Sequence, residues 1–133
     1  PFFLKKRKEN FDYLELGLKN VDYINVLAQP VNQHLHSSHY CLGMMIDDTL
    51  KIKRPIIMDA LGKKGVGTSI YYPQPVPRMS YYKKKYGYDE SDYINAATIS
   101  DSIIALPVGP HLNLSDMDYI VKSIKQVLGE FNV

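Results

Sequence analysis

The sequence predicts an α+β fold in which a small mixed or antiparallel sheet is covered by helices. Three observations point there. Stretches of helical and strand periodicity interleave along the chain, but their connections are uneven. Apolar runs of strand length are few and short. The closing stretch, with Met117, Ile120, Val121, Ile124, Val127 and Leu128 at helical spacing, makes a strongly amphipathic helix. With 133 residues, 45 % of them hydrophobic, the chain fits a single domain over 1–133 with a modest core.

Each element has its own signal. Leu4, Phe11, Leu14 and Leu18 share a helical face, so residues 2–18 read as the first helix. Residues 20–32 are mixed and meet Pro30, which suits loop or irregular strand. HYCLGMMI, from His39 to Ile46, reads as a buried strand ended by Asp47 and Asp48. Residues 54–64 form a helix, with Pro55 in its first turn, Ile57, Met58 and Leu61 on one face, and Gly62 or Gly65 as cap. Residues 67–72 read as the next strand, and 78–86 as a short helix ending near Gly87. Ser91 is placed to cap a helix running to about Ser100, with Ile94 and Ala97 inward. Ile103 to Pro107 is a short strand stopped by proline. Ser115 and Asp118 resemble a capping box for the last helix, which Gly129 ends.

Composition excludes several function classes. The net charge of +2 argues against a nucleic-acid binder. Lys5 to Lys8 and Lys83 to Lys85 therefore read as solvated helix faces, although Tyr81, Tyr82 and Tyr86 flank the second run. A single cysteine, Cys41, allows no internal disulfide and suits a reducing compartment, so a cytoplasmic protein is expected. No apolar run is long enough to span a bilayer, and no membrane partner is expected. At the N-terminus the charges follow the apolar residues, the reverse of a secretory signal. Because the chain begins at Pro1 rather than Met, it is expected to be part of something longer.

No complete catalytic constellation is visible. His34, His36 and His39 form the only histidine cluster, but no cysteine or carboxylate nearby in sequence completes a metal set, so they read as polar residues before a strand. Gly62, Gly65 and Gly67 follow a helix and precede a strand, the wrong order for a phosphate loop. Cys41 lies inside an apolar run and reads as buried rather than nucleophilic. Asp47, Asp48, Asp89 and Glu90 sit at element ends, as turn and capping residues. The unusual stretch is GTSIYYPQPVPRMSYY, residues 67–82, where Pro73, Pro75 and Pro77 alternate beside tyrosines. Proline presets its own backbone and biases its predecessor to extended geometry, so this stretch is expected to leave the strand as a stiff arm.

Several segments, in order, match one family's pattern. They are the helix KKRKENFDYLELGL, the strand HSSHYCLGMMI, and DALGKKGVGTSIYYPQPVPRMSYYKKKYGY over 59–88. Ile104-Ala105-Leu106-Pro107, then Gly109 to Ser115 and the closing helix, follow. Together they resemble the C-terminal domain of the DegT/DnrJ/EryC1/StrS family of pyridoxal-phosphate-dependent sugar aminotransferases. The resemblance implies the small domain of a fold-type I aminotransferase, normally a homodimer, with helix 2–18 as connector to a large domain. That large domain would carry the lysine bonded to pyridoxal 5'-phosphate and most cofactor contacts, so no catalytic residue is expected in this chain.

The resemblance further implies an amino group, from glutamate, passed to a nucleotide-linked keto-sugar. Many members have His-Tyr-Pro where this chain has Tyr71-Tyr72-Pro73, and Ser where it has Ala105. A phenol hydrogen-bonds but carries a different charge from an imidazole near neutral pH. Tyr71, Tyr72, Gln74, Arg78 and His39 are the expected substrate contacts. A stand-alone module binding a sugar nucleotide or a protein, and the same domain of a related sugar dehydratase, are the alternatives.

Overall fold

The structure is a computed structural model that describes residues 2–27, 34, 36–50 and 53–131. The elements are α1 (Phe2–Leu18), β1 (Ile24–Val26), β2 (Cys41–Ile46), α2 (Arg54–Lys63), α3 (Ser80–Tyr86), α4 (Ile94–Ser102), β3 (Ile103–Pro107) and α5 (Leu114–Glu130). Single 3₁₀ turns at Val76–Arg78 and Glu90–Tyr93 precede α3 and α4. The fold is α+β, as the sequence predicts.

The sheet has the order β1-β2-β3 and both pairings are antiparallel. Ile24 faces Ile46 across the first pair, and Leu42 faces Leu106 across the second. Period-2 alternation puts Leu42, Met44 and Ile46 inward and leaves Cys41, Gly43 and Met45 half-buried. On the inner side these strands join Phe11, Leu14 and Leu18 of α1 and Met117, Ile120, Val121 and Ile124 of α5 in one apolar cluster. Ile57 and Leu61 of α2 complete it.

α1 and α5 run against each other at close range. A Cβ on Gly17 would lie 2.7 Å from Cγ2 of Val121. Asn10, fully buried on α1, donates from Nδ2 to the carbonyls of Val108 (3.4 Å), Gly109 (3.0 Å) and Leu112 (3.2 Å). One side chain thus ties the loop before α5 to the first helix.

The structure corrects several local expectations. Residues 67–72 are not a strand. Only Ser69 pairs, with Ala105, through bonds of 2.8 and 3.2 Å, and Tyr71 and Tyr72 are exposed. Pro73, without an N–H, cannot carry that pairing further. The predicted strand from His39 starts at Cys41; His39 has a φ of +46° and lies outside the ladder. Part of the segment expected as loop or irregular strand is β1, while its residues 28–32 lie outside the described residues.

Further differences concern the helices. Leu4 is exposed, and Asn10 takes the buried place on α1. Ile94 is 66 % exposed rather than inward, because α4 buries Ser100 and Ser102 instead and satisfies their hydroxyls on Tyr72 and Thr98 carbonyls. Ser91 does not cap α4: Asp89 caps the 3₁₀ turn before it, accepting from the N–H of Ser91 at 2.8 Å, and α4 itself starts after Tyr93 without a side-chain cap. The capping box of α5 lies two residues earlier than Ser115 and Asp118. Asn113 Oδ1 accepts from the N–H of Ser115 and Asp116, and Asp116 accepts from the N–H of Asn113 at 2.8 Å. Asp118 pairs with Lys122 at 2.6 Å, and α5 runs through Gly129 to Glu130. Gly87, in the left-handed region at φ +67°, ends α3 as expected.

Two substitutions test this seam. Gly17→Ala gains helix propensity but forces a stiff valine aside, and a net loss of about 1 kcal/mol is expected, partly restored by Val121→Ala. Asn10→Ala is expected to cost about 1–3 kcal/mol by stranding buried carbonyls. Urea unfolding of each variant measures both; a neutral Asn10→Ala would contradict the stapled loop.

Candidate substrate cleft around Tyr71

The proline-rich stretch is positioned by α4 and β3. The Ser69–Ala105 bridge holds its start. Ser100 Oγ then donates to the carbonyl of Tyr72 at 2.6 Å. Farther along, Arg78 reaches both carboxylate oxygens of Asp101, at 2.7 and 2.9 Å, through Nη1. Beneath this contact, Arg54 Nη1 donates to the carbonyls of Ser100 (2.6 Å) and Ile103 (3.1 Å), fixing the end of α4.

The arm is extended only in part. Pro75 is extended (φ −70°, ψ 151°), but the chain then turns through the 3₁₀ turn at Val76–Arg78, where Pro77 is buried. The expected straight arm is therefore a loop clamped at both ends onto α4. Pro75 and Pro77 supply the preset φ that both halves of this path use.

Between arm and helix opens a cleft of about 700 Å³. Tyr71, Tyr72, Gln74, Pro75, Val76, Pro77 and Met79 line one side; Tyr88, Tyr93, Ala96, Ile99 and Ser100 line the other. The volume falls in the usual range for small-molecule sites. Its walls are apolar and aromatic, and among the described residues their polar side-chain groups are phenols, an amide and a hydroxyl. Such a cleft can take a flat or sugar ring against tyrosine faces and orient it by a few hydrogen bonds. Tyrosine rings continue from its mouth: Tyr88 contacts Tyr93 edge-on (5.4 Å) and Tyr86 at 5.5 Å, and Tyr86 stacks on Tyr82 at 6.2 Å.

A second opening, of about 330 Å³, lies on the other side of Tyr71. Arg7, Tyr40, Cys41, Ser69 and Tyr71 line it, together with Ala105 to His111. The Tyr40 and Tyr71 rings sit 6.0 Å apart. A hydrogen bond with Tyr71, and then the charge of that phenol, push the Tyr40 pKa above its ordinary value. Burial pushes the Cys41 thiol up, which keeps it protonated and unsuited to nucleophilic use.

Of the five expected contacts, the structure brings Tyr71, Tyr72 and Gln74 together at the cleft. Arg78 faces away from it, onto Asp101. His39 packs edge-on against Phe11, with ring centres 5.1 Å apart, and lines neither opening. Sequence reasoning missed Tyr88, Tyr93, Arg7 and His111. Tyrosines recurring from Tyr81 to Tyr93 were the available signal for the first two. Arg7 and His111 are 104 positions apart, and only the fold joins them. Among the described residues no three His, Cys, Asp or Glu side chains converge on a metal position. No described helix is long and apolar enough to cross a membrane.

Comparison with known proteins places this geometry. The family model of the DegT/DnrJ/EryC1/StrS aminotransferase family matches residues 1–125. The chain belongs to that family. It is 25 % identical, over 127 residues, to the uncharacterized protein MJ1066 of Methanocaldococcus jannaschii, covering 95 % of this chain and 32 % of that one. Spr1654 of Streptococcus pneumoniae, assigned as a sugar aminotransferase and solved in its PMP form, superposes with a TM-score of 0.81 at 26 % identity, over 97 % of this chain and 31 % of the other. PseC of Helicobacter pylori, an aminotransferase involved in the biosynthesis of pseudoaminic acid, shares the fold with a TM-score of 0.84 at 21 % identity, over 98 % and 34 % of the two chains. This family member thus spans about a third of the length of each of these relatives.

Pyridoxal phosphate, which the family implies, needs a lysine for its aldehyde and an acidic or basic partner for its ring nitrogen. Among the described residues neither opening is lined by a lysine, and only the second, with Arg7 and His111, has a basic group for the ring nitrogen. The two openings do not by themselves fit the cofactor.

The Tyr40–Tyr71 contact gives a direct test. Removing the Tyr71 hydroxyl, in Tyr71→Phe, is expected to bring the Tyr40 pKa back down toward its ordinary value. A ¹³C-tyrosine NMR titration reads it, and an unmoved Tyr40 would contradict the hydrogen bond. The sign follows from linkage. A pKa raised in the folded state contributes stability below the ordinary value of 10.0, lost as pH rises through the raised one.

Proposed function

We propose that this chain is the C-terminal small domain of a pyridoxal-phosphate-dependent aminotransferase that passes an amino group from glutamate to a nucleotide-linked keto-sugar. The family match over residues 1–125, in a chain spanning about a third of its relatives, carries this reading. The lysine that holds the cofactor belongs, in this reading, to the larger part of the enzyme, and the complete enzyme is a homodimer. The role of this domain is to form one wall of the substrate site.

The wall is the cleft between the proline loop and α4. Tyr72, Tyr88 and Tyr93 offer ring faces to the sugar or base, and Gln74 and the Tyr71 hydroxyl offer hydrogen bonds. Clamping the loop through Ser100 and Asp101 presets these groups, so that little ordering is needed when substrate arrives. Tyr71, in place of the imidazole found in many members, offers a phenolic hydroxyl as donor and acceptor at this position.

The test uses the protein from its complete coding region. Cofactor-loaded enzyme mixed with glutamate is expected to change its cofactor absorbance and release 2-oxoglutarate. Adding nucleotide keto-sugars should return the spectrum and yield an amino sugar. A product that has lost a hydroxyl without gaining nitrogen would mark a dehydratase instead, and no cofactor uptake at all would sink the reading. Tyr93→Ala is expected to raise KM for the sugar nucleotide roughly tenfold, from the lost aromatic contact, while leaving KM for glutamate within about twofold.

A further inference from the structure

The second opening, beside Tyr71, holds a charge that no described side chain balances. Arg7 is half-buried at its edge, its guanidinium carbon 5.9 Å from the centre of the Tyr40 ring. Its neighbours Lys6 and Lys8 are each paired along α1, with Glu9 at 3.4 Å and Asp12 at 2.6 Å. Among the described residues Arg7 has no such carboxylate, and none lines the groove.

The opposite side of the groove is built with equal care for space. His111 lies folded against Gly109, where a Cβ would stand 2.5 Å from its Cε1 and 2.8 Å from its Nδ1. Any larger residue at 109 would displace the imidazole. The same loop is fixed from below by Asn10, whose Nδ2 bonds the Gly109 and Leu112 carbonyls. Arg7 and Asn10 are three residues apart on α1, neighbours on one side of the helix. One helix thus presents the guanidinium and also anchors the loop that presents the imidazole.

We propose that this groove is an oxyanion-binding subsite, with Arg7 as its charge and Tyr40, Tyr71 and His111 as its walls. A guanidinium fork matches the two oxygens of a carboxylate or phosphate, and stacking on Tyr40 holds it ready. The anion is either the carboxylate of an amino acid or the phosphate of a nucleotide. Matching it to the amino donor or the sugar nucleotide rests on the reading above; the subsite itself does not.

Calorimetric titration of the full chain without cofactor tests the subsite, with glutamate in one arm and pyrophosphate in the other. At least one is expected to bind, and Arg7→Gln to weaken it about tenfold, or about 1.4 kcal/mol. Gly109→Ala, which keeps every charge but displaces His111, is expected to weaken it by about threefold. Lys5→Gln removes the same charge away from the groove and should change affinity less than twofold. If Arg7→Gln unfolds by circular dichroism, Arg7→Lys, which loses the planar fork, replaces it with an expected loss of about threefold. Heat from glutamate alone identifies the amino-acid source, heat from pyrophosphate alone the nucleotide, and heat from both a general oxyanion site. Equal losses in Arg7→Gln and Lys5→Gln, unchanged affinity in Arg7→Gln, or no heat from either anion at millimolar concentration would overturn the proposal. No cofactor or turnover enters this readout, so its failure is distinguishable from failure of the transamination assay.

Discussion

The close packing of α1 on α5 is the constraint on which the rest of the molecule depends. The helices come from opposite ends of the chain, and Gly17 against Val121 lets their axes approach until side chains interlock. Their shared apolar face closes over β2 and β3, so Phe11, Leu14, Met117 and Ile124 meet Leu42, Met44 and Leu106 in one cluster. A three-stranded sheet this short cannot bury its inner face alone. Asn10 adds a polar element to an otherwise apolar seam. Its Nδ2 meets three carbonyls while its Oδ1 stays buried without a partner, and the result is a fixed loop between β3 and α5.

On this base α4 acts as the support for the functional loop. It buries serines rather than aliphatic residues, and one of these hydroxyls holds the Tyr72 carbonyl. Asp101, one position on, takes Arg78. α4 thus gives up core packing to become a rail for the proline segment. Burial of Pro77, with the 3₁₀ turn around it, then directs the backbone back toward α3 and its tyrosines. The cleft owes its volume to this separation between a clamped loop and a weakly apolar helix.

Much of this was legible in the sequence, and what was not has identifiable physical causes. β2, α2 and α5 show periodicity because their side chains face one common core, and β3 shows as a short apolar run because both its faces are buried. The α+β class followed from them, and the family resemblance agrees with the family match. The strand expected at 67–72 looked convincing because Ile70, Tyr71 and Tyr72 are residues that strands favour, yet the neighbouring Gly67 and Pro73 left room for one bridge only. Ile94 misled in the same way: an apolar residue at the right spacing faces outward when the helix is fixed by hydroxyls instead. The capping box slipped because Ser115 and Asn113 both suit an N-cap, and only backbone geometry selects between them. At the cleft, the tyrosines within the proline stretch could be read directly. Arg7 and His111 could not, since their meeting is a product of the α1–α5 seam.

Tyr71 lines both openings, and that has a thermodynamic consequence. A ring that forms one wall of each cannot be moved by a ligand in one without reshaping the other. Occupancy on the two sides is then linked by a single coupling free energy, equal in either direction. A ligand that draws the phenol away from Tyr40 changes affinity on the far side by the same factor that far-side occupancy changes its own. Tyr71, shared by cleft and groove, is the place where two binding events would sense each other.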